Sequence, residues 1–184
     1  GLDENTIGTT TSRPPYTPIS MGLLAGPPQE PKKLTSIHHR HKDMGGTMMW
    51  TGAWRRPHSY GPDAGAEAQH VHEALGLIDV STLGKILVTG PDAGAFLDRV
   101  YPNRLSDLKV GRTRYGVLTG DPGRIMDDGV VARVDENTFY VSATSTGADG
   151  VYQWFTWWNA VWFMDVQFAN MTGALAAVNV AGPS

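Results

Sequence analysis

Two adjacent carboxylates, Asp127 and Asp128, are the residues of this sequence best placed to do chemistry. They stand in the segment RIMDDG (residues 124–129), after a DPG turn and inside a predicted β-strand. Side chains alternate along a strand, so at most one of the two can point into a given pocket. A carboxylate among apolar neighbours is a candidate general base or an acceptor for a ligand amine. The alternative is that the pair closes a hairpin through hydrogen bonds to the backbone.

Histidines are the second group with possible chemistry, at HHRH (residues 38–41) and HVH (residues 70–72). A His-x-His pair on a strand places both rings on one face, as in some zinc and copper sites. The second group falls in a predicted helix, where positions i and i+2 diverge by about 200°. Solvated or capping histidines are therefore favoured over a metal site, and we predict no metal.

Composition excludes several classes of protein. The 184 residues contain no cysteine, which rules out a thiol nucleophile, a disulfide framework and a cysteine zinc site. The formal net charge is -3 and the basic residues are scattered, so neither nucleic acid nor a membrane is an expected partner. With no membrane-length apolar run and no signal peptide pattern, we expect a soluble, cytoplasmic protein. Phosphate-loop, Rossmann, nucleophile-elbow and HExxH motifs do not occur.

The aspartates belong to a predicted antiparallel meander. Strands are predicted over residues 114–118, 125–134 and 138–143, joined by the turns DPG and DEN. Before them, residues 84–89 (GKILVT) predict a strand that runs through Gly-Pro-Asp into a helix ending near residue 100. The sheet therefore carries both aspartates, with a helix connected to its edge.

Flanking segments complete the predicted elements. Residues 48–54 predict a strand, residues 64–75 predict a helix that stops at Gly76, and residues 174–180 predict a last strand. A further helix over residues 148–163 contains four of the six tryptophans.

The tryptophans of that helix lie on one side of it. Trp154, Trp158 and Trp162 are spaced by four residues and form one stripe, with Trp157 beside it. Burial of the stripe against the sheet is favoured over an aromatic ligand cage.

The amino-acid composition changes near residue 34, which indicates a domain boundary there. Six of the twelve prolines lie in residues 1–34, which predicts an extended arm or interdomain linker, with a disordered leftover segment as the alternative. Residues 35–184 predict one domain. Its final Gly-Pro-Ser resembles the earlier strand-to-helix turn, so we expect a piece of a longer protein.

Three consecutive segments carry a family resemblance, namely residues 35–60, 72–100 and 111–134. In this order and spacing they resemble the aminomethyltransferase family of the glycine cleavage T-protein. Residues 9–26 and 79–86 resemble more closely the alpha subunits of heterotetrameric sarcosine oxidases. In those subunits such an arm connects a nucleotide-binding portion to a C-terminal folate-binding portion.

The resemblance implies an α+β fold, an antiparallel sheet packed with helices that forms the N-terminal portion of a folate-binding domain. It implies a tetrahydrofolate site that accepts the one-carbon unit of an oxidised N-methyl amine, giving 5,10-methylenetetrahydrofolate and glycine. The small amine-derived imine and the other oxidase subunits are the implied partners. FMN, FAD and NAD are expected elsewhere in the complex, so this chain alone is not expected to be a complete oxidase.

The resemblance also implies site residues. The first aspartate of the pair, Asp127, is implied as the catalytic group, and Tyr115 is implied to pack against or bond the folate in the same cavity. Leu83, Gly129 and Val131 are implied to line the site. For Leu83 and Val131, an ordinary place in the core is the alternative.

Two other functions stay open at this point. The domain could be a non-catalytic assembly module of a multisubunit oxidase, which a Pro-rich arm and an exposed Trp-rich helix would suit. It could also be a T-protein-like aminomethyltransferase that acts on another amine.

Overall fold

The computed structural model describes residues 33–183 and has an α+β fold, as predicted. The arm predicted over residues 1–34 lies outside the described residues, except for its last two positions. No helix within residues 33–183 is both long and apolar enough to span a membrane. The elements are β1 (Lys33–Leu34), α1 (His38–Asp43), β2 (Thr47–Thr51), β3 (Trp54–Ser59), α2 (Ala64–Glu73), β4 (Gly76–Asp79), β5 (Gly84–Thr89), α3 (Ala93–Val100), β6 (Thr113–Thr119), β7 (Ile125–Asp135), β8 (Thr138–Ala143), α4 (Ala148–Trp162), β9 (Gln167–Asn170) and β10 (Val178–Ala181).

The largest sheet has five antiparallel strands in the order β6-β7-β8-β5-β9. Its first three strands follow one another along the chain, which confirms the predicted meander. Side chains alternate between the two faces of such a sheet. We call the face that carries Leu118, Val131 and Val141 the inner face, because all three are 0% exposed and belong to the core. The opposite face is the outer face.

The core lies between the inner face and the helices α3 and α4. Phe96 of α3 contacts Phe155 of α4 and Phe168 of β9, with ring centroids 5.6 and 4.9 Å apart. Phe96 and Phe155 are completely buried. Aromatic pairs at these distances stabilise a core beyond the area that they bury. This cluster therefore connects both helices to the edge of the sheet, through a strand that the sequence did not reveal.

The tryptophan stripe of α4 packs at the margin of this core. Trp154, Trp158 and Trp162 are half-buried against it, and the rings of Trp158 and Trp162 stack with centroids 4.8 Å apart. The Arg99 guanidinium lies 5.1 Å from the Trp162 ring centre, within reach of a cation–π contact. Trp157 points away and is 65% exposed. Packing against the core is thus the interpretation that the structure supports for the stripe.

Two predicted strand boundaries are wrong. Residues 48–54 are not one strand, because the chain reverses after Thr51 and forms the antiparallel hairpin β2-β3. β1 pairs in parallel with β3, so Lys33 and Leu34 belong to this small sheet. The last strand begins at Val178 rather than at residue 174, because a turn with a bond from the Ala174 amide to the Met171 carbonyl precedes it.

The helix predicted over residues 64–75 is confirmed but ends two residues early, at Glu73. Asp63 caps its start by accepting a hydrogen bond from the Gly65 amide (2.8 Å). Gly76, predicted as the stop, instead begins β4, which pairs with β10.

A buried polar cluster joins three elements outside the large sheet. His41 of α1 is only 6% exposed and donates from Nε2 to Asp79 Oδ2 over 2.7 Å, while its Nδ1 is hydrogen-bonded to the Tyr60 hydroxyl. The other carboxylate oxygen, Asp79 Oδ1, accepts from the Ser81 amide over 2.8 Å. The cluster fixes the end of β4 and the loop that follows it. The interpretation of His41 as a solvated or capping histidine is therefore wrong.

This cluster predicts an acid dependence of stability. Burial alone would raise the pKa of Asp79, but hydrogen bonds from Ser81 and then His41 outweigh it and hold that pKa below its ordinary value. The unfolded chain therefore binds the proton more readily, and stability present above about pH 4 is lost as the pH falls through the folded pKa. We expect Asp79→Asn to lower the free energy of unfolding at pH 7 and to flatten its acid decline, measured by urea unfolding at several pH values. The exposed Asp43→Asn is the control, and an unchanged acid decline in Asp79→Asn would contradict this account.

Candidate functional site

The two adjacent aspartates of β7 face opposite ways, as strand alternation predicts. Asp127 pairs across the sheet with the buried Leu118 and is 5% exposed on the inner face. Asp128 pairs with Val117 and is exposed on the outer face. The two carboxylates thus have different surroundings and different chemical possibilities.

Asp127 is engaged by the chain that enters α4. Its Oδ1 accepts from the Thr144 amide (3.0 Å) and from the Asp128 amide (2.7 Å), and its Oδ2 accepts from the Thr144 hydroxyl (3.2 Å). Buried carboxylates need such partners. Both oxygens are therefore used to fix the connection between β8 and α4.

Close packing around Asp127 supports this structural role. A Cβ at Gly147 would overlap Asp127 Oδ2 and the Thr144 hydroxyl, so any larger residue there would have to displace these bonded groups. On the inner face, burial and then the charge of Asp127 raise the pKa of Tyr101, which keeps this phenol protonated. The surroundings of Asp127 leave little room for a ligand.

Asp128 forms a different arrangement on the outer face. The Tyr115 hydroxyl donates to Asp128 Oδ2, and both residues are exposed. Tyr115 also pairs across the sheet with Val130, which is 40% exposed. The hydrogen bond to Asp128 raises the pKa of Tyr115. We call Tyr115, Asp128 and Val130 the outer-face cluster, which combines a carboxylate, a phenol and an apolar side chain.

The structure does not bring Tyr115 and Asp127 to one cavity. A β-bulge between Leu118 and Thr119 shifts the register of β6 against β7. As a result Tyr115 pairs with Val130 and lies on the outer face, whereas Asp127 lies on the inner face. The expectation that both face the same cavity is therefore not met.

Leu83 lies in the loop between β4 and β5 and is 38% exposed. The next residue, Gly84, pairs with Ala143, so Leu83 lies at the end of the sheet where Thr144 bonds to Asp127. This position is compatible with a residue that lines a ligand site. The lining role of Leu83 stays a prediction.

Gly129 and Val131 have visible structural roles. A Cβ at Gly129 would overlap the Ser142 carbonyl of the neighbouring strand, which requires glycine there. Val131 is 0% exposed inside the core. This is the place expected from the alternative of a core residue. The lining roles of Gly129 and Val131 in a ligand site stay predictions.

Val130 is a member of the outer-face cluster that the sequence did not indicate, and Asp128 was one of two candidate carboxylates, of which the family resemblance preferred Asp127. Their signal was the alternation along β7, because every second residue from Asp128 points away from the core. This alternation identifies the cluster only when the register of β6 against β7 is known, because the register decides which residues of β7 lie beside Tyr115.

Histidines do not gather into a site. Among the residues that the structure describes, no three His, Asp or Glu side chains lie close enough to hold a metal ion. His70 and His72 lie on the exposed helix α2.

Comparisons with known proteins agree with the observed fold and with the family resemblance of the sequence. Residues 37–184 match the family model of the GCVT N-terminal domain, that of the glycine cleavage T-protein. The chain belongs to this family. The solved structure of the glycine cleavage system aminomethyltransferase T from Bartonella henselae superposes with a TM-score of 0.71, at 25% identity, over 82% of this chain and 41% of that one.

Two kinds of enzyme are found among the curated proteins that are similar to this chain in sequence. A sarcosine oxidase subunit alpha from Corynebacterium sp. (strain U-96) is 40% identical over 190 residues, which cover 96% of this chain and 20% of that protein. An aminomethyltransferase from Corynebacterium aurimucosum is 33% identical over 147 residues, covering 80% of this chain and 39% of that protein. The chain thus spans about a fifth of its sarcosine oxidase relative.

Proposed function

We propose that this T-protein domain is the tetrahydrofolate-binding part of a sarcosine oxidase-like oxidoreductase. Bound tetrahydrofolate would accept the one-carbon unit of the oxidised N-methyl amine, giving 5,10-methylenetetrahydrofolate and glycine. The 40% identity to a sarcosine oxidase subunit alpha across nearly the whole chain supports this choice.

The observation that carries the proposal is the outer-face cluster. A pterin presents N–H donors on a flat aromatic ring, and it needs a carboxylate acceptor and aromatic or apolar surfaces. Asp128 offers the acceptor, and Tyr115 and Val130 offer the surfaces, all three exposed on one face. These residues fit the ligand, whereas Asp127 is buried and both of its oxygens already accept hydrogen bonds from Thr144.

Each residue of the cluster has a distinct part in the proposal. The Tyr115 hydroxyl donates to Asp128 Oδ2, which orients the carboxylate and leaves Asp128 Oδ1 to accept from a ligand amine. As a general base, Asp128 would take the proton that an attacking nitrogen loses. Val130 would exclude water from one side of the ring.

The catalytic role of Asp127, which the family motif implies, stays a prediction. Comparing Asp127→Asn with Asp128→Asn tests it. The geometry favours Asp128 in the catalytic role and gives Asp127 a positioning role. Through Thr144 it fixes the start of α4, and through its own bond to the Asp128 amide it fixes the backbone of the catalytic candidate.

The wider assembly is part of the proposal. FMN, FAD and NAD would be held elsewhere in the complex, together with the other oxidase subunits, in the cytoplasm. Oxidation of the amine would take place there, and this domain would receive the resulting small imine.

A second candidate is an aminomethyltransferase that acts on another amine, which the 33% identity to such an enzyme favours. Comparing sarcosine with other methylated amines as substrates of the complete protein separates the two. An assembly module without folate turnover is the third, favoured by the 65% exposed Trp157 and the 87% exposed Phe163 on and after α4.

Folate binding by the complete protein tests the proposal. We expect Tyr115→Ala to weaken tetrahydrofolate affinity by about two- to tenfold, because an aromatic contact of about 0.5–1.5 kcal/mol is lost. Anaerobic titration calorimetry measures the affinity. Trp157→Ala removes an exposed aromatic residue on the helix side of the sheet and serves as the matched control. Absence of binding by the unmodified protein would refute the folate proposal and favour the assembly module.

A further inference from the structure

The loop after β4 presents a single exposed side chain. Between Ser81 and Ile86 every residue is buried except Leu83, which is 38% exposed. The buried residues include polar ones, with Ser81 at 1%, Thr82 at 2% and Lys85 at 1% exposure. Buried polar side chains are costly unless they are hydrogen-bonded, so this segment is built around specific contacts.

Lys85 is the most unusual of them, because a lysine is rarely buried without a carboxylate partner. Its Nζ donates to the carbonyls of Ser81 (2.8 Å), Leu83 (3.0 Å) and Thr172 (3.4 Å). The ammonium has three N–H groups, so all its donors are used. It takes part in none of the ion pairs found within residues 33–183. Burial lowers the pKa of Lys85, and the nearby Asp79 opposes this.

The acceptors show what the ammonium does for the loop. Two of them, the carbonyls of Ser81 and Leu83, lie on either side of Thr82, so one side chain holds both ends of this turn. The Leu83 amide bonds the Val80 carbonyl over 3.0 Å, which closes the turn. The Leu83 amide and carbonyl are therefore both hydrogen-bonded, and its side chain is 38% exposed.

The same loop is tied to the proposed site. The Ser145 hydroxyl donates to the Thr82 hydroxyl over 2.8 Å, and the preceding residue, Thr144, bonds Asp127. Hydrogen bonds from the neighbouring residues Ser145 and Thr144 thus connect the Leu83 loop to the strand that carries Asp128.

We propose that Lys85 is a positioning residue for folate binding, whose three carbonyl contacts hold the Leu83 side chain in place as a wall of the ligand site. This inference rests on the proposed function. It assigns to a buried lysine an effect on ligand affinity that acts through Leu83.

A double-mutant cycle in the complete protein tests it. Lys85→Met keeps the length of the side chain and removes the donors, and Leu83→Ala removes the wall. We expect each to weaken tetrahydrofolate affinity about tenfold, and the double variant to be no weaker than either single one. Hydrogen exchange of the Leu83 amide, measured without ligand, should be faster in Lys85→Met than in the unmodified protein.

The controls separate this inference from a loss of stability and from the folate proposal. Val88→Ala shortens a buried residue on the inner face and should lower stability without changing affinity. If Lys85→Met does not fold, Lys85→Gln, which keeps two N–H donors, takes its place in the cycle. Additive effects, or unchanged affinity in Leu83→Ala while the unmodified protein binds, would overturn the role of Lys85 and leave the folate proposal standing. No binding by the unmodified protein would overturn both.

Discussion

Asp128→Asn is expected to slow methylene transfer by about 10²–10⁴-fold, because the amide cannot take a proton from the attacking nitrogen. The Tyr115 hydroxyl can still donate to the carbonyl oxygen of the substituted side chain, so the local structure should be retained. Single-turnover transfer with the complete protein, followed as formation of 5,10-methylenetetrahydrofolate, measures the rate. Folding is checked by circular dichroism.

Asp127→Asn is the matched comparison for this prediction. The asparagine oxygen can still accept from the Thr144 amide, and the Thr144 hydroxyl can turn to accept from the new amide group. We therefore expect transfer within a few-fold of the unmodified rate, with some loss of stability. A folded Asp127→Asn protein that has lost transfer, beside an active Asp128→Asn protein, would restore Asp127 as the catalytic group.

Phe96→Ala is expected to lower the free energy of unfolding by about 3–5 kcal/mol. Phe96 is completely buried and contacts the rings of Phe155, Trp162 and Phe168, so its removal leaves a cavity where α3, α4 and β9 meet. Because natural domains are stable by only about 5–15 kcal/mol, such a loss is a large share of the total. Urea unfolding followed by tryptophan fluorescence measures it.

Trp157→Ala is the control for the core variant, because it removes a larger aromatic side chain that is 65% exposed. Its effect should stay within about 0.5 kcal/mol, as for most surface substitutions. Equal losses in the two variants would show that the aromatic cluster around Phe96 is not the centre of the core.

The meander and the helices could be predicted because their signals are local. Alternation and turn residues mark the strands, and Gly-Pro-Asp marks the start of α3, which begins at Ala93. The opposite orientation of Asp127 and Asp128 followed from the same alternation. These features need no knowledge of which segments meet in space.

The register of β6 against β7 could not be predicted, and it decides the composition of the site. Continuing the pairing of Thr119 with Ile125 without a bulge would place Tyr115 opposite Gly129, on the face of Asp127. The observed bulge shifts the partner by one residue and moves Tyr115 to the other face. A bulge of one residue leaves no distinct pattern in the sequence, and the family resemblance, which placed Tyr115 and Asp127 in one cavity, carries no information on this register.

Polar contacts between residues far apart in the sequence could not be predicted either. His41 and Asp79 are 38 residues apart, and Lys85 bonds the Thr172 carbonyl 87 residues away. In the sequence each looks like a surface residue, because charged and polar side chains are mostly exposed. Only the folded chain shows that they hold the loop that presents Leu83.

The most direct test of the central claim is a structure of the complete protein with tetrahydrofolate bound. The account predicts the pterin ring against Tyr115 and Val130 on the outer face of the sheet, with its N–H donors on the Asp128 carboxylate and Leu83 at its edge. The bonds between Asp127 and Thr144 should be unchanged. A ligand bound to Asp127 with these bonds broken, or bound away from the outer-face cluster, would contradict the account.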